Sequence, residues 1–298
     1  MQNLQIKKIL VPIDFSDNSM NALETATAIA KRHHASIKLL YVNDNDNKFY
    51  PYLHSNNGHN AVKTLETLAK CVRDDGNLEC SFSFSSGSVT HCILHDIAEE
   101  STDLVVMGKN GNAGKREHYA GSYTYNVAKK ALCSVLIVPA GKSWIQFNNI
   151  LFPVRPSISM LEKYAATKEI ISKNSATLHM MNLRNPDYVN ELHIISKLVN
   201  LLKIKFEEDN IATTISYYFR DDRFAEKILS IIEEAKVAHD LVIISAEPNI
   251  TVNTFYLSAY AQQIIHQSKI PVLVIKPAIL PRSKEAELEQ LEQQVGVN

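Results

Sequence analysis

Short apolar runs alternate along the chain with longer stretches whose apolar side chains recur at helical spacing. In the first half, the runs predict strands at Ile9–Ile13, Ile37–Val42, Cys80–Phe84, Leu104–Met107 and Val135–Val138. The stretches between them predict helices at Asp17–His34, Asn60–Asp75, Ser88–Glu100 and Ser122–Leu132. Several runs are apolar at every position, which is typical of strands covered on both faces. The pattern therefore predicts an α/β domain with a parallel sheet and right-handed crossovers.

The second half repeats this pattern. Its predicted strands are Ile150–Val154, Thr177–Leu183, Ile211–Phe219, Leu241–Ile244 and Val272–Ile275. The amino-acid sequence repeats as well. The segment "KKILVPIDFS" near the start is similar to "NNILFPVRPS" in the middle, and "DLVVMG" is similar to "DLVIIS". We therefore predict two copies of one flavodoxin-like, doubly wound domain of roughly 140 residues. The predicted bounds are residues 1–141 and 147–278, followed by a tail at 279–298 that contains a short helix.

Composition narrows the possible partners. The formal net charge of the chain is −1 and its pI is about 6.8, so no basic surface is expected for nucleic acid or anionic lipid. No apolar run approaches the ~18 residues that a membrane-spanning helix needs, and the N-terminus lacks the apolar segment of a signal peptide. These features predict a cytoplasmic protein without a membrane or nucleic-acid partner.

Glycine is concentrated in one place. Four of the nine glycines lie between Met107 and Ser122, directly after a predicted strand and directly before a predicted helix. Glycine lets another group approach the backbone closely, and the start of a helix offers unpaired N–H groups to an anion. The spacing fits neither a Walker A loop nor the dinucleotide fingerprint. A phosphate chain would fit this stretch, and a plain surface turn is the alternative.

Together these residues carry a resemblance. "VPIDFS", "DLVVMGKNG" and the spacing Gly108-x2-Gly111-x9-Gly121-Ser122 resemble the ATP-binding branch of the universal stress protein family. The resemblance covers nearly all of the first half and, more weakly, the second. It implies a tandem member of the family that binds ATP, with or without Mg²⁺, in its first domain. It also implies a regulatory role in the stress response, read through nucleotide occupancy.

The resemblance assigns roles residue by residue in the first half. Pro12 and Ile13 would line the adenine slot, and Asp14 would accept hydrogen bonds from the nucleotide or act through a metal ion. The remaining contacts would come from Val42 at the adenine edge, from Met107 and Gly108 at the ribose, and from Asn110, Gly111, Gly121, Ser122 and Tyr123 around the phosphates. Tyr123 departs from the family, which usually has a small apolar residue there. It would either crowd the phosphates or stack beside them.

The second half departs much further from the pattern. Arg155 stands where the first half has Asp14, and Ser245, Pro248 and Ser258 replace three of the glycines. Proline has no N–H group, and serine resists a positive φ. We therefore expect no ATP in the second domain, which would serve as the structural half of an internal pseudo-dimer. Arg155 serving another anion is the alternative, and a homodimer of the chain stays open.

No nucleophile–base pair stands out, so we assign no catalytic residue and expect at most a slow ATPase. His91 and His95 lie four apart on one predicted helix, where they are either a partial metal site or two solvated side chains. We assign no metal ligand. Two other functions remain open, a scaffold protein that binds no nucleotide and a weak adenine-nucleotide hydrolase.

Overall fold

The computed structural model describes residues 5–44, 57–109, 123–155, 159–184, 189–219, 223–234, 237–249 and 254–276. The chain divides into two units, and the sequence boundary between them lies between Ile145 and Gln146. We call these units the first and the second domain. The predicted helix in the tail at 279–298 falls outside the described residues.

Every strand predicted for the first domain is present. Its elements are β1 (Lys8–Pro12), α1 (Asp17–His33), β2 (Ser36–Asn43), α2 (Asn57–Gly76), β3 (Cys80–Ser86), α3 (Val89–Glu100), β4 (Leu104–Gly108), α4 (Tyr123–Lys130) and β5 (Ser134–Val138). The described part of α4 ends two residues earlier than the predicted helix, and Leu132 beyond it is 68% exposed. An exposed leucine has no core to hold it in a further helical turn.

The first sheet is parallel, with the strand order β3–β2–β1–β4–β5. The order reverses between β1 and β4, which is the switch point of a doubly wound sheet. Leu10 and Val105, which are paired across these two strands, are both fully buried. The strand order confirms the predicted fold class, and it places the carboxyl ends of β2, β1 and β4 side by side.

Helix α1 begins and ends where local chemistry favours it. Its N-cap is Ser16, whose side chain accepts a hydrogen bond from the amide of Ser19. Three basic residues occupy the last turn, where they suit the helix dipole. His34 then adopts a left-handed conformation, and its amide bonds the carbonyl of Ala30. These caps fix the helix directly after the carboxyl end of β1.

The residues between the two predicted domain bounds, 141 and 147, belong in part to the first domain. The backbone amide of Trp144 donates to the hydroxyl of Thr25 on α1 at 2.9 Å, and the indole is 9% exposed. Because of this packing, the first domain extends to Ile145 rather than to the predicted residue 141.

The second domain repeats this order of elements and adds two short strands before its last helix. They are β6 (Asn149–Val154), α5 (Ser159–Lys173), β7 (Thr177–Arg184), α6 (Val189–Glu208), β8 (Thr213–Phe219), α7 (Phe224–Glu234), β9 (Leu241–Ser245), β10 (Glu247–Asn249), β11 (Thr254–Tyr256), α8 (Ala259–Gln267) and β12 (Val272–Ile275). The antiparallel pair β10–β11 was not predicted. Strand β8 starts later than predicted, because the amide of Ile211 bonds Phe206 at the end of α6.

The second sheet is also parallel, with the order β8–β7–β6–β9–β12 and a switch point between β6 and β9. The repeated "DLV" text has a structural reason. The carboxylate of Asp103 accepts the amides of Lys7 and Lys8 at 2.8 and 2.9 Å, which fixes the start of β1. Asp240 does the same for the amides of Asn148 and Asn149 at the start of β6.

No helix in the described part of the chain combines the length and the apolar character that crossing a membrane requires.

Candidate functional site

The carboxyl ends of β1, β2 and β4, together with the start of α4, form what we call the first site. Pro12 ends β1, and the buried Ile13 donates its amide to the carbonyl of Leu40 on β2 at 2.8 Å. Val42 lies near the end of β2, and Met107 and Gly108 end β4. The structure therefore brings these predicted residues to one edge of the sheet, at the switch point where doubly wound folds bind ligands.

Asp14 lies in a tight turn between β1 and α1. Its carboxylate accepts hydrogen bonds from the amide and the hydroxyl of Ser16, and its own amide donates to the Ser19 hydroxyl at 3.4 Å. Phe15 between them has a φ of +59°, which an ordinary residue adopts only at a cost. This turn holds a half-buried carboxylate at the switch point.

Aromatic rings line the side of the first site next to β2 and β3. The rings of Phe15 and Tyr41 are stacked with centroids 5.2 Å apart, and Tyr41 stacks on Phe84 at 5.5 Å. Burial, and after it the charge of Asp14, raises the pKa of the Tyr41 phenol. The stacking stabilises the left-handed Phe15 and, through it, the turn that carries Asp14.

Gly108 is required by packing alone. A Cβ atom at this position would lie 2.6 Å from the carbonyl oxygen of Asn18 in the first turn of α1. The side-chain amide of Asn18 also donates to the carbonyl of Lys109 at 3.1 Å, and the Thr124 hydroxyl donates to the carbonyl of Gly108 at 3.3 Å. The missing Cβ atom thus lets the start of α1 approach the end of β4.

Tyr123 is the first residue of α4, and its hydroxyl donates to the carboxylate of Asp44 at 2.6 Å. Asp44 directly follows β2. The thiol of Cys92 is influenced by the same carboxylate. Burial first, and the charge of Asp44 second, raise the pKa of this thiol. The structure therefore ties the start of α4 to the end of β2 through the hydroxyl of Tyr123.

The remaining predicted contacts lie outside the described residues, namely Asn110, Gly111, Gly121 and Ser122. Conversely, the structure adds two residues that the sequence pattern did not reveal. Asn18 packs on Gly108, and Asp44 binds Tyr123. The one available signal for Asp44 was a carboxylate two positions beyond the predicted strand Ile37–Val42.

The corresponding edge of the second domain, the carboxyl ends of β6 and β9 with the start of α8, is called the second site. Here Arg155 forms an ion pair with Glu247 at 2.9 Å, and the second oxygen of Glu247 accepts the hydroxyl of Tyr256. The guanidinium lies 4.6 Å from the ring centre of Tyr260 and 5.6 Å from that of Phe224. Burial lowers the pKa of Arg155, but Tyr260 and Glu247 outweigh it and raise the pKa.

A buried cation lies next to this ion pair. The ammonium of Lys163 donates to the carbonyl of Pro153 at 2.9 Å and lies 3.9 Å from the ring centre of Phe152. Burial first, and Arg155 second, lower the pKa of Lys163 well below its usual range. The hydroxyl of Ser245, at the position of Gly108, is buried and has no hydrogen-bond partner among the residues that the structure describes. The second site is thus filled by protein side chains.

His91 and His95 lie on α3 with ring centres 6.4 Å apart, and both are exposed. Within the described ranges, no group of three or more histidine, cysteine, aspartate or glutamate side chains is placed to hold a metal ion.

Comparison with known proteins finds a protein family whose sequence model matches this chain. The sequence model of the universal stress protein family matches residues 5–139. The universal stress protein YxiE of Bacillus subtilis is 28% identical over an alignment of 145 residues, which covers 44% of this chain and 97% of that protein. The universal stress protein MJ0531 of Methanocaldococcus jannaschii is 28% identical over an alignment of 146 residues, which covers 46% of this chain and 84% of that protein.

Solved structures resemble the chain over both domains. A universal stress protein from Archaeoglobus fulgidus superposes with a TM-score of 0.67 at 18% identity, covering 92% of this chain and 97% of its own. A functionally unknown protein from Pseudomonas aeruginosa, PA1789, superposes with a TM-score of 0.68 at 17% identity and covers 99% of both chains. At such low identity these likenesses establish the fold and leave the ligand open.

Proposed function

We propose, for a chain that belongs to the universal stress protein family through residues 5–139, that the first domain binds an adenine nucleotide, ATP in particular. One observation carries the proposal. The bond from Thr124 to Gly108 holds the start of α4 at the switch point, on the same edge of the sheet as the carboxylate of Asp14. An anion-binding helix end and an acceptor for ligand hydroxyl or amino groups thus lie on one edge.

Each part has a chemical task in this proposal. The backbone amides near the start of α4 would bind the phosphates, helped by the helix dipole. The half-buried carboxylate of Asp14 would accept hydrogen bonds from the adenosine moiety or hold Mg²⁺. Pro12, Ile13 and Val42 would enclose the base. Nucleotide occupancy would then regulate the protein in a cytoplasmic stress response.

The second domain is proposed to bind no ATP and to have a structural role. Its arginine already has a carboxylate partner in Glu247 and a ring partner in Tyr260. A phosphate would have to displace both partners of Arg155. It would also meet the side chain of Ser245, which stands where the first domain has Gly108. The ion pair supports this interpretation over the alternative in which Arg155 serves another anion.

The test is calorimetric titration of the full chain with ATP and Mg²⁺. Replacing Asp14 by asparagine keeps an oxygen for the amide of Ser16 but removes the charge, so Asp14→Asn should weaken ATP binding about tenfold. Arg155→Gln, at the matching position of the second domain, should leave the affinity unchanged. Equal losses from both variants would contradict the assignment of the site to the first domain.

A second measurement separates binding from scaffolding. The chain has one tryptophan, Trp144, which packs on the first domain, so its fluorescence follows the unfolding of that domain. ATP at a hundred times its Kd should stabilise the domain by about 2.7 kcal/mol. A protein that only acts as a scaffold would show no change. Steady release of phosphate above background would favour the hydrolase instead.

A further inference from the structure

Two polar side chains are buried without hydrogen-bond partners near the carboxyl edge of the second sheet. Asn182 on β7 is fully buried, and neither the nitrogen nor the oxygen of its side-chain amide has a partner among the described residues. The hydroxyl of Ser245 on β9 is equally unpartnered there, and this residue is 5% exposed. Buried polar atoms of folded proteins almost always have a partner, so this pair points to a bound water molecule or ion.

The strand register places Asn182 and Ser245 on one face of the sheet. Asn182 is paired with Val154 on β6. On the other side of β6, the register of β6 and β9, continued by three residues, sets Val154 beside Ser245. Because side chains alternate along strands, such neighbours point to the same face. Asn182 and Ser245 therefore flank Val154 on that face, roughly 10 Å apart at their Cα atoms, since neighbouring strands are about 4.8 Å apart.

Lys163 of α5 lies over the same face. Its ammonium is 3.9 Å from the ring centre of Phe152, which is two positions before Val154 and so points to the same side. The ammonium donates to the carbonyl of Pro153, and this is the one hydrogen bond that the described residues provide for its three N–H groups. We call Lys163, Asn182 and Ser245 the polar cluster.

The charge of Lys163 is not balanced by a carboxylate in the described part of the chain. The charged neighbour recorded for it is Arg155, which has the same sign and is itself paired with Glu247. A buried ammonium is stable only when an opposite charge or strong acceptors surround it. Burial and Arg155 both oppose the charge of Lys163, and an anion beside the ammonium would counteract both.

We propose that the polar cluster binds one small inorganic anion of single charge, such as chloride. Lys163, Asn182 and Ser245 donate to it, while Arg155 keeps its partner Glu247. One negative charge suffices, because Lys163 alone lacks compensation. The unpartnered atoms are sealed from solvent, which favours a single-atom ion over phosphate or sulfate. The anion joins β7, β9 and α5, and it stabilises the second domain.

The first domain has no such cluster at the matching positions. Ala22 stands where α5 has Lys163, and Gly108 stands where β9 has Ser245. Neither residue offers a side-chain donor. The first domain is therefore an internal control for an anion effect, within the same molecule and the same solution.

The experiment measures hydrogen exchange of the β6, β7 and β9 amides in the full chain while chloride replaces gluconate at constant ionic strength. Chloride at about ten times its Kd should slow this exchange about tenfold, because it binds only the folded domain. Exchange in β1 and β4 should not change. Lys163→Met and Asn182→Leu keep the approximate side-chain size and remove a donor, so each should abolish the chloride effect. Lys168→Met, at a partly exposed ion pair on the same helix, should keep it.

A crystal of the wild type soaked in bromide locates the ion directly, because bromide replaces chloride and scatters anomalously. An anomalous peak in contact with the Lys163 ammonium would support the proposal, and its absence there would overturn it without any variant. A water molecule in the cluster would give no chloride dependence, and equal slowing in both domains would show a general salt effect. Either result, or a chloride effect that survives in both Lys163→Met and Asn182→Leu, would overturn the anion site. The nucleotide site proposed for the first domain is independent of all these outcomes.

Discussion

The carboxyl ends of β1 and β6 stand at the same place in two copies of one fold, yet their chemistry is opposite. After β1, a turn holds the carboxylate of Asp14 against Ser16. After β6, Arg155 lies against Tyr260 and is paired with Glu247. The difference shows that the residues at this edge can change while the fold is kept, because the second domain places an ion pair and aromatic rings where the first domain has a carboxylate held in a turn.

At the amino ends of the strands, by contrast, the two domains share one feature. Asp103 and Asp240 make the same pair of bonds to the first strand of their domains, so this feature is kept. Beside them the two copies differ. Lys38 on β2 forms an ion pair with Asp96 at 2.7 Å, whereas its counterpart on β7 is His179, which packs edge-on against His239 at 5.2 Å.

The largest expected effect comes from this histidine pair. Burial first, and the neighbouring His179 second, lower the pKa of His239 from 6.5 to about 4. As the pH falls below 6.5, the unfolded chain binds a proton that the folded domain does not, so stability is lost progressively down to pH 4. The loss between pH 7 and pH 4 should reach about 3 kcal/mol.

His239→Thr introduces the residue that the first domain has at the same position, Thr102. Urea unfolding followed by circular dichroism at pH 7, 5.5 and 4 gives the free-energy difference between the wild type and this variant. That difference should fall by about 3 kcal/mol towards pH 4. His91→Thr, at an exposed histidine of the first domain, is the control. A constant difference for His239→Thr would contradict the prediction.

An exchange at the ends of β4 and β9 should have the next largest effect. Gly108→Ser places a Cβ atom 2.6 Å from the Asn18 carbonyl oxygen, so α1 must shift. The first domain should lose about 2 kcal/mol, measured by urea unfolding with Trp144 fluorescence. Ser245→Gly is the reverse exchange and removes a buried hydroxyl without a partner, so the second domain should change less. Similar losses from both exchanges would show that the two strand ends are packed alike.

The smallest effect is expected for the ion pair of the second site. Glu247→Gln keeps a hydrogen-bond acceptor for Arg155 but removes the charge. Because the two side chains are 35% and 29% exposed, the second domain should lose only about 1 kcal/mol. Hydrogen exchange of the β6 and β9 amides measures this loss. New ATP binding in this variant would mean that Glu247 alone keeps the second site closed.

The periodic parts of the fold could be predicted because the residues of each buried strand are themselves apolar. Leu104–Met107 is apolar at every position, so this strand could be placed from local sequence. The pair β10–β11 could not. Its residues "EPN" and "TFY" are too short for a period, and cross-strand pairing decides their conformation.

The residues of the candidate site likewise fall into those that the sequence predicts and those that only the tertiary structure reveals. The sequence by itself determined the repeated domain, the switch-point edge and the exchange of Asp14 for Arg155, because these follow from pattern and residue identity along the chain. Three contacts were decided only by the tertiary structure. Asn18 packs so closely on position 108 that only glycine fits there. Asp44 accepts the hydroxyl of Tyr123, and Glu247 pairs with Arg155. Each of these contacts joins residues more than seventy positions apart, and their distance depends on strand order and helix packing, which no local pattern encodes.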